Sequence, residues 1–365
     1  MGANDDMKTP SVAIAIDRTH GGNVPEGCID FSTSLNPLGP PAEAIQAYYE
    51  AITNISKYPP PYPRRLEAVI AAWLGVDPET VIAGNGSTQL IYLTARVLCL
   101  HSPFIVIPSF SEIANALIAA GSDSFPISTK AENNFRFEHA ALRAALEAGA
   151  DGIFLGRPVS PTGMLVGLDE AAAIARKCDR QGAWCIVDEA FIEFADDPRS
   201  LATLIGSIGK LVVLRSLTKI FAIPGLRLGY LLGPAEFTNK LRQVIEPWSV
   251  NGIAEPVASA CLGVAERFIA LARGNIIKER EWLVAELGCL PALRLFPSSA
   301  NFLMFAVLNE PTCGEFGRYL MSQGIAIRDL SRLPGCGPGF YRIGVRSRSD
   351  NDRLVMAAAD YVGPG

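Results

Sequence analysis

A lysine at position 219 stands in the stretch RSLTKIFAIPGLRLGY, Arg215 to Tyr230, with Ser216 on one side and Arg227 on the other. Serine and arginine are residue types that hold a phosphate dianion, and a lysine between them can form a Schiff base if burial and neighbouring charge lower its pKa. Read alone, a lysine between an apolar strand and a Pro-Gly turn is a solvated loop residue, because lysines are seldom buried unpaired. Two other stretches bear on the choice. Gly84–Leu90, GNGSTQL, follows a strand pattern and opens a helix, so Gly86, Ser87 and Thr88 would cup an anion at a helix N-terminus; Ser and Thr also cap helices where no anion binds. Val187–Phe191, VDEAF, ends the apolar run AWCIV, at the strand end where parallel α/β sheets bind ligands. An acid emerging there implies a buried cation. Asp188, first out of the strand, is the candidate, with helix capping as its other reading.

Parallel strands joined by crossover helices would bring these residues to one edge. From about residue 40, helical patterns alternate with short apolar runs, the signal for an α/β fold. Strands are expected at 80–83, 104–107, 123–127, 152–155, 183–187, 211–214 and 228–232, and helices at 41–52, 63–74, 88–99, 111–120, 139–148, 169–181 and 235–244. After PWSVN, Pro247–Asn251, the pattern changes to long helices at 255–274 and 276–289, then to strand, helix and strand. The expected division is an N-terminal arm, 1–40, a large domain, 41–250, and a small C-terminal α/β domain, 251–365.

Composition narrows the function classes. A chain of 365 residues, 49% hydrophobic and 19% charged, is long enough for a substantial core and two lobes. A net charge of −5 with a pI near 5.4 offers no basic field to nucleic acid. No apolar run reaches the roughly 20 residues of a membrane-spanning helix, and the start MGANDDMKTP has neither a basic nor an apolar leader region, so a cytoplasmic protein is expected. The eight cysteines form no CxxC pair and lie mostly among apolar residues, which reads as buried free thiols. Three histidines, His20, His101 and His139, show no metal-ligand spacing, and no metal site is expected.

The order of a phosphate cup at 86–88, a strand-end Asp188 and a lysine flanked by Ser216 and Arg227 resembles the fold-type I pyridoxal-phosphate enzymes. The resemblance implies a mostly parallel seven-stranded sheet in the large domain. It also implies that Asp188 faces the cofactor's pyridinium nitrogen and that Lys219 carries the cofactor. Within that superfamily THGGN at 19–23, Asp30-Phe-Ser, Asn36-Pro-Leu-Gly39, Asp188-Glu-Ala-Phe-Ile and PWSVN resemble the histidinol-phosphate aminotransferase branch, and within it the L-threonine-O-3-phosphate decarboxylases of cobalamin biosynthesis. By that resemblance Phe110 stacks on the cofactor ring and Tyr58 reaches the phosphate of the other subunit's cofactor, which implies a homodimer. Core packing and a loop anchor are the alternatives for these two residues. Arg342 takes the substrate carboxylate, Arg328 another substrate anion, and His20 and Asn36 the substrate phosphate. Arg346, two alternations past Arg342, is placed on the same strand face and reads as a surface salt bridge.

The chain departs from the pattern at GRPVSPTG, 156–163, where Ser160 stands at the position of an asparagine that contacts the cofactor's phenolic oxygen. Phe191 likewise stands where many aminotransferases have a tyrosine. Both usual donors are thereby weakened or lost, with Arg157 as a candidate for compensating charge. The implied reaction is decarboxylation of L-threonine O-3-phosphate; O-phospho-L-serine decarboxylation and histidinol-phosphate-type transamination are the alternatives.

Overall fold

The apolar runs of the first two-thirds of the chain assemble into one sheet. In the computed structural model, which describes residues 18–308, 310 and 312–362, a short strand β1 (Ile29–Asp30) precedes β2 (Val81–Asn85), β3 (Pro103–Ile107), β4 (Phe125–Ser128), β5 (Gly152–Gly156), β6 (Trp184–Asp188), β7 (Leu211–Ser216) and β8 (Leu228–Leu232). The last seven pair in the order β2-β8-β7-β6-β5-β3-β4. Only β8 runs against its neighbours, so the sheet is mostly parallel, as expected. Strands β5, β7 and β8 are buried along their whole length. Covered on both faces, they read in the sequence as continuous apolar runs rather than alternations.

Helices Gly86–Leu98, Ser111–Ala119, His139–Glu147 and Leu168–Arg180 fill the connections from β2 through β6. Parallel strands require such crossovers, and these direct every parallel strand's carboxyl end to the same edge.

The rest of the chain builds a second sheet from β9 (Leu293–Leu295), β10 (Phe302–Val307), β12 (Arg328–Asp329) and β13 (Phe340–Gly344), in the order β12-β13-β10-β9. Between them β11 (Ile325–Ala326) pairs in parallel with β1. The N-terminal arm is thus hydrogen-bonded to the C-terminal part of the chain. The Gly344 amide also donates to the Phe31 carbonyl at 2.8 Å, and a Cβ at Gly344 would lie 2.2 Å from the Thr33 carbonyl.

Two expectations need correction. The break between the long helices falls at Val264 (φ −118, ψ 8), giving Ala254–Gly263 and Ala265–Gly288. Gly274 stays helical, because Ala272, Ile276 and Leu283 bury one face straight through it, outweighing the ~1 kcal/mol glycine penalty. The cysteines are free but not uniformly buried: Cys178, Cys185 and Cys261 are, whereas Cys99, Cys289 and Cys313 are exposed. Cys99 and Cys289 sit at helix C-termini, where the chain turns outward. Among the described residues no helix is long and apolar enough to cross a membrane.

Candidate active site

The strand ends open into a cavity of about 710 Å³ that gathers Gly86, Ser87, Thr88, Asp188, Ser216, Lys219 and Arg227. The reading of Lys219 as a solvated loop residue is overturned. Strand β7 ends at Ser216, and the helical turn Leu217–Ile220 carries Lys219 into the cavity wall. Ser216 Oγ lies 2.8 Å from Thr218 Oγ1. The helix after β2 begins at Gly86, two residues before the expected start. Gly86 has φ +80, and a Cβ there would come within 2.6 Å of Arg227 Nη2, so only glycine lets that guanidinium lie against the helix N-terminus. Gly229, beside Arg227, has the same constraint: its Cβ would meet the Ser87 amide at 2.3 Å.

The titratable groups here are displaced toward their neutral forms. Burial pulls Lys219 down to about 8, with Arg342 and Arg227 acting in the same direction and Asp188 opposing. Burial pushes Asp188 up to about 6, opposed by the Ala190 amide and by Lys219; that amide donates to Oδ1 at 3.0 Å. Arg342 is pulled down to about 10 by burial and then by Arg328, with Asp30 opposing. Arg328 and Arg342 face each other directly across β12 and β13, a placement that repels unless an anion lies between or beside them. Arg342 is itself fixed: Nη1 donates to Ser160 Oγ at 3.1 Å and Nη2 to the Ser32 carbonyl at 3.0 Å.

The other sequence candidates divide. His20, Phe110, Ser160, Phe191 and Arg328 line the cavity with Arg342. Asn36 does not: it is buried, its Nδ2 donates to the Ile220 carbonyl at 2.8 Å, and its Oδ1 accepts from the Leu38 amide at 3.1 Å. Its amide also donates to the Lys219 carbonyl at 3.1 Å, so Asn36 braces the turn that bears the lysine instead of meeting a phosphate. Arg157 points away from the cavity, fully buried, and pairs with Glu189 at 2.9 Å; it supplies the site no charge. Arg346 lies beyond the end of β13, where Nε pairs with Asp350 at 3.0 Å and Nη1 donates to the Asp30 carbonyl. It is a salt bridge, though not on the strand face of Arg342. Tyr58 is 85% exposed and lies against Trp248 at 5.3 Å, outside the cavity.

Wall residues that the sequence reading did not single out include Thr218, Ser109 and Glu112. The S-x-T-K spacing of hydroxyls beside the lysine could have signalled Thr218. Glu112 looked like an ordinary first-turn acid.

Pyridoxal phosphate fits these residues. Asp188 is a half-buried carboxylate in the cavity wall, suited to a cationic or protonated partner, as a pyridine nitrogen would be. Gly86, Ser87, Thr88, Ser216 and Arg227 form a cradle that one Cβ at position 86 would fill, and Lys219 is an amine made nucleophilic by its surroundings. Phe110 and Phe191 supply apolar walls.

Known proteins resemble this chain over most of its length. The family profile described as aminotransferase class I and II matches residues 26–357. A protein of Caldanaerobacter subterraneus subsp. tengcongensis, provisionally named a threonine-phosphate decarboxylase, is 36% identical over 93% of this chain and 92% of its own. The threonine-phosphate decarboxylase of Salmonella typhimurium is 32% identical over 93% of this chain and 95% of its own. The solved histidinol-phosphate aminotransferase of Clostridium acetobutylicum superposes with a TM-score of 0.83 at 27% identity, covering 91% of this chain and 98% of that one.

Proposed function

This chain belongs to the aminotransferase class I and II family, and from that premise we propose that it is a pyridoxal-phosphate-dependent carboxy-lyase. Its substrate is L-threonine O-3-phosphate and its product (R)-1-amino-2-propanol O-2-phosphate, a precursor in cobalamin biosynthesis. The observation that carries the reading is the pair Arg328 and Arg342, directly opposed on neighbouring strands in the cavity that holds Lys219. Two guanidinium groups side by side in one cavity suit a substrate that carries both a carboxylate and a phosphate. The names of the two relatives above support the choice of reaction.

When bound, the cofactor supplies an electron sink for bonds at the substrate's Cα. Asp188 holds the proton at its ring nitrogen, and the 86–88 helix start with Ser216 and Arg227 holds its phosphate. Arg342, fixed by Ser160 and Ser32, orients the substrate carboxylate and so selects which Cα bond is placed to break. The carboxylate leaves as carbon dioxide, its bonding electron pair stays with Cα, and a proton must follow. Lys219 Nζ, lowered to about 8, is poised to donate it near neutral pH. Ser160 Oγ accepts from Arg342, which leaves its own hydroxyl proton free for the cofactor's phenolic oxygen; Phe191 offers none.

The protein acts as a cytoplasmic homodimer in this reading. Tyr58 and Trp248 border a groove of about 550 Å³ on the chain surface, an apolar patch that a second copy would cover while Tyr58 reaches its cofactor. Sedimentation at micromolar concentration gives a dimer if this holds, and a monomer for Tyr58→Asp.

Incubation with O-phospho-L-threonine and O-phospho-L-serine, followed by carbon dioxide and amine release, tests the activity. Faster release from the threonine ester is expected. Consumption of 2-oxoglutarate with histidinol phosphate, and no carbon dioxide from either ester, would replace the decarboxylase reading with an aminotransferase.

A further inference from the structure

Among the cations of the cavity stands an acid that anion binding does not explain. Glu112 is 8% exposed and lines the cavity, and three donors converge on its carboxylate. Tyr92 Oη donates to Oε2 at 2.7 Å, Asn115 Nδ2 to Oε1 at 2.9 Å, and His20 Nε2 reaches Oε1 at 3.1 Å. Tyr92 comes from the helix that opens the phosphate cup, Asn115 from one turn along the helix of Glu112 itself, and His20 from the N-terminal arm. Burial and the neighbouring Glu112 push Tyr92 up, so it stays a protonated donor. A carboxylate only accepts, hence His20 Nε2 carries a proton, and Nδ1 is the nitrogen left for another partner, to which it donates as the second N–H of an imidazolium when that partner is an anion.

The arm's course is set independently of this contact. The Gly22 amide donates to Ser32 Oγ at 2.9 Å, and a Cβ on Gly21 would lie 2.4 Å from the Ser32 carbonyl. Arg328 Nη2 donates to the Thr19 carbonyl. Glu112 therefore acts on the ring of His20 and not on the path of the backbone.

We propose that Glu112 is a positioning residue for the substrate phosphate: it keeps the Nε2–H of His20 on its own carboxylate, so that Nδ1, which must also carry a proton to meet a phosphate oxygen, donates toward that group. The inference rests on the reading of His20 as a phosphate contact. It assigns Glu112 a part in ground-state binding and none in the bond-breaking step.

The test uses the holoenzyme with Glu112→Gln, His20→Gln and the double variant, and Tyr92→Phe as a milder change should the first fail to fold. Glu112→Gln raises KM for O-phospho-L-threonine about tenfold and leaves kcat within about twofold, the scale of one charge-assisted hydrogen bond. Competitive inhibition by inorganic phosphate weakens by the same factor, while binding of unphosphorylated L-threonine does not change. The double variant binds no worse than His20→Gln alone. With only three histidines in the chain, the ¹⁵N spectrum of His20 is resolvable. With inorganic phosphate bound it shows both ring nitrogens protonated in the parent and a mixture of protonation states in Glu112→Gln. Additive losses, a loss that extends to L-threonine, or a ¹⁵N spectrum of His20 that Glu112→Gln leaves unaltered would each overturn the role of Glu112. An unchanged KM in His20→Gln overturns the phosphate contact itself, and the spectrum then reports separately whether Glu112 still sets the ring.

Discussion

The ends of β5, β6 and β7 present two faces, and neighbouring residues on the same strands serve opposite ends. Asp188 and Ser216 face the cavity. Glu189 and Arg215, each one residue away, face the other side with Arg157 and Glu193, as the two-residue period of a strand dictates. On that reverse face Arg157 pairs with Glu189 at 2.9 Å and Arg215 with Glu193 at 2.7 Å, all four side chains essentially inaccessible. Ser200 Oγ and the Leu201 amide also donate to Glu189. Burial alone would pull Arg215 down, but Glu193 and Glu189 outweigh it and its pKa goes up. On the cavity face, burial moves Lys219, Arg342 and Asp188 toward neutrality. The same desolvation is compensated on one face and left standing on the other; compensation gives order, and its lack gives reactivity.

Breaking each face should therefore fail differently. Lys219→Ala removes the capturing amine and the proton donor; turnover falls by about 10³-fold or more with an unchanged melting temperature. Glu189→Ala strands the buried Arg157 and costs about 3–5 kcal/mol of folding stability, read as a lower denaturation midpoint. Asp188→Asn, its chain neighbour, is the contrast: folding stability is kept while carbon dioxide release drops about 100-fold. Arg342→Leu lowers kcat/KM roughly 10–100-fold. It also moves a pH profile. Capture of cofactor by the cofactor-free protein, followed by absorbance, rises with pH through about 8 as Lys219 loses its proton. Without the Arg342 cation that midpoint shifts upward. Ser160→Ala has the smallest effect, a few-fold at most in turnover, since one neutral hydrogen bond is worth about 1 kcal/mol. A loss as large as that of Asp188→Asn would show that the site face depends on Ser160 more than the geometry implies.

The sheet was legible because strands buried on both faces must be written as apolar runs, and Leu211–Leu214 or Gly152–Leu155 admit few other readings. The cavity face was legible because its residues differ in type from what a strand end ordinarily carries: Asp188 after a run of five apolar residues, Lys219 between a serine and an arginine. The reverse face was not. Arg157, Glu189, Glu193 and Arg215 carry no local sign of burial, and their pairing joins positions up to 32 apart in contacts that no local pattern encodes. Asn36 was placed at the substrate because its motif pointed there. Its use as a brace for Ile220, 184 positions away, becomes visible only when the arm is seen docked.

That docking spans nearly the whole chain: Arg342 grips the Ser32 carbonyl across 310 positions, and β1 finds its partner only at Ile325. During synthesis at roughly 5–20 residues per second, the segment around residues 18–36 waits on the order of tens of seconds outside the ribosome before its binding surface exists. The lysine turn that Asn36 braces is made long before the arm can lock against β11. Residues 18–36 are thus made early and settle late, and the cavity they help to wall is complete only once β11 and β13 exist.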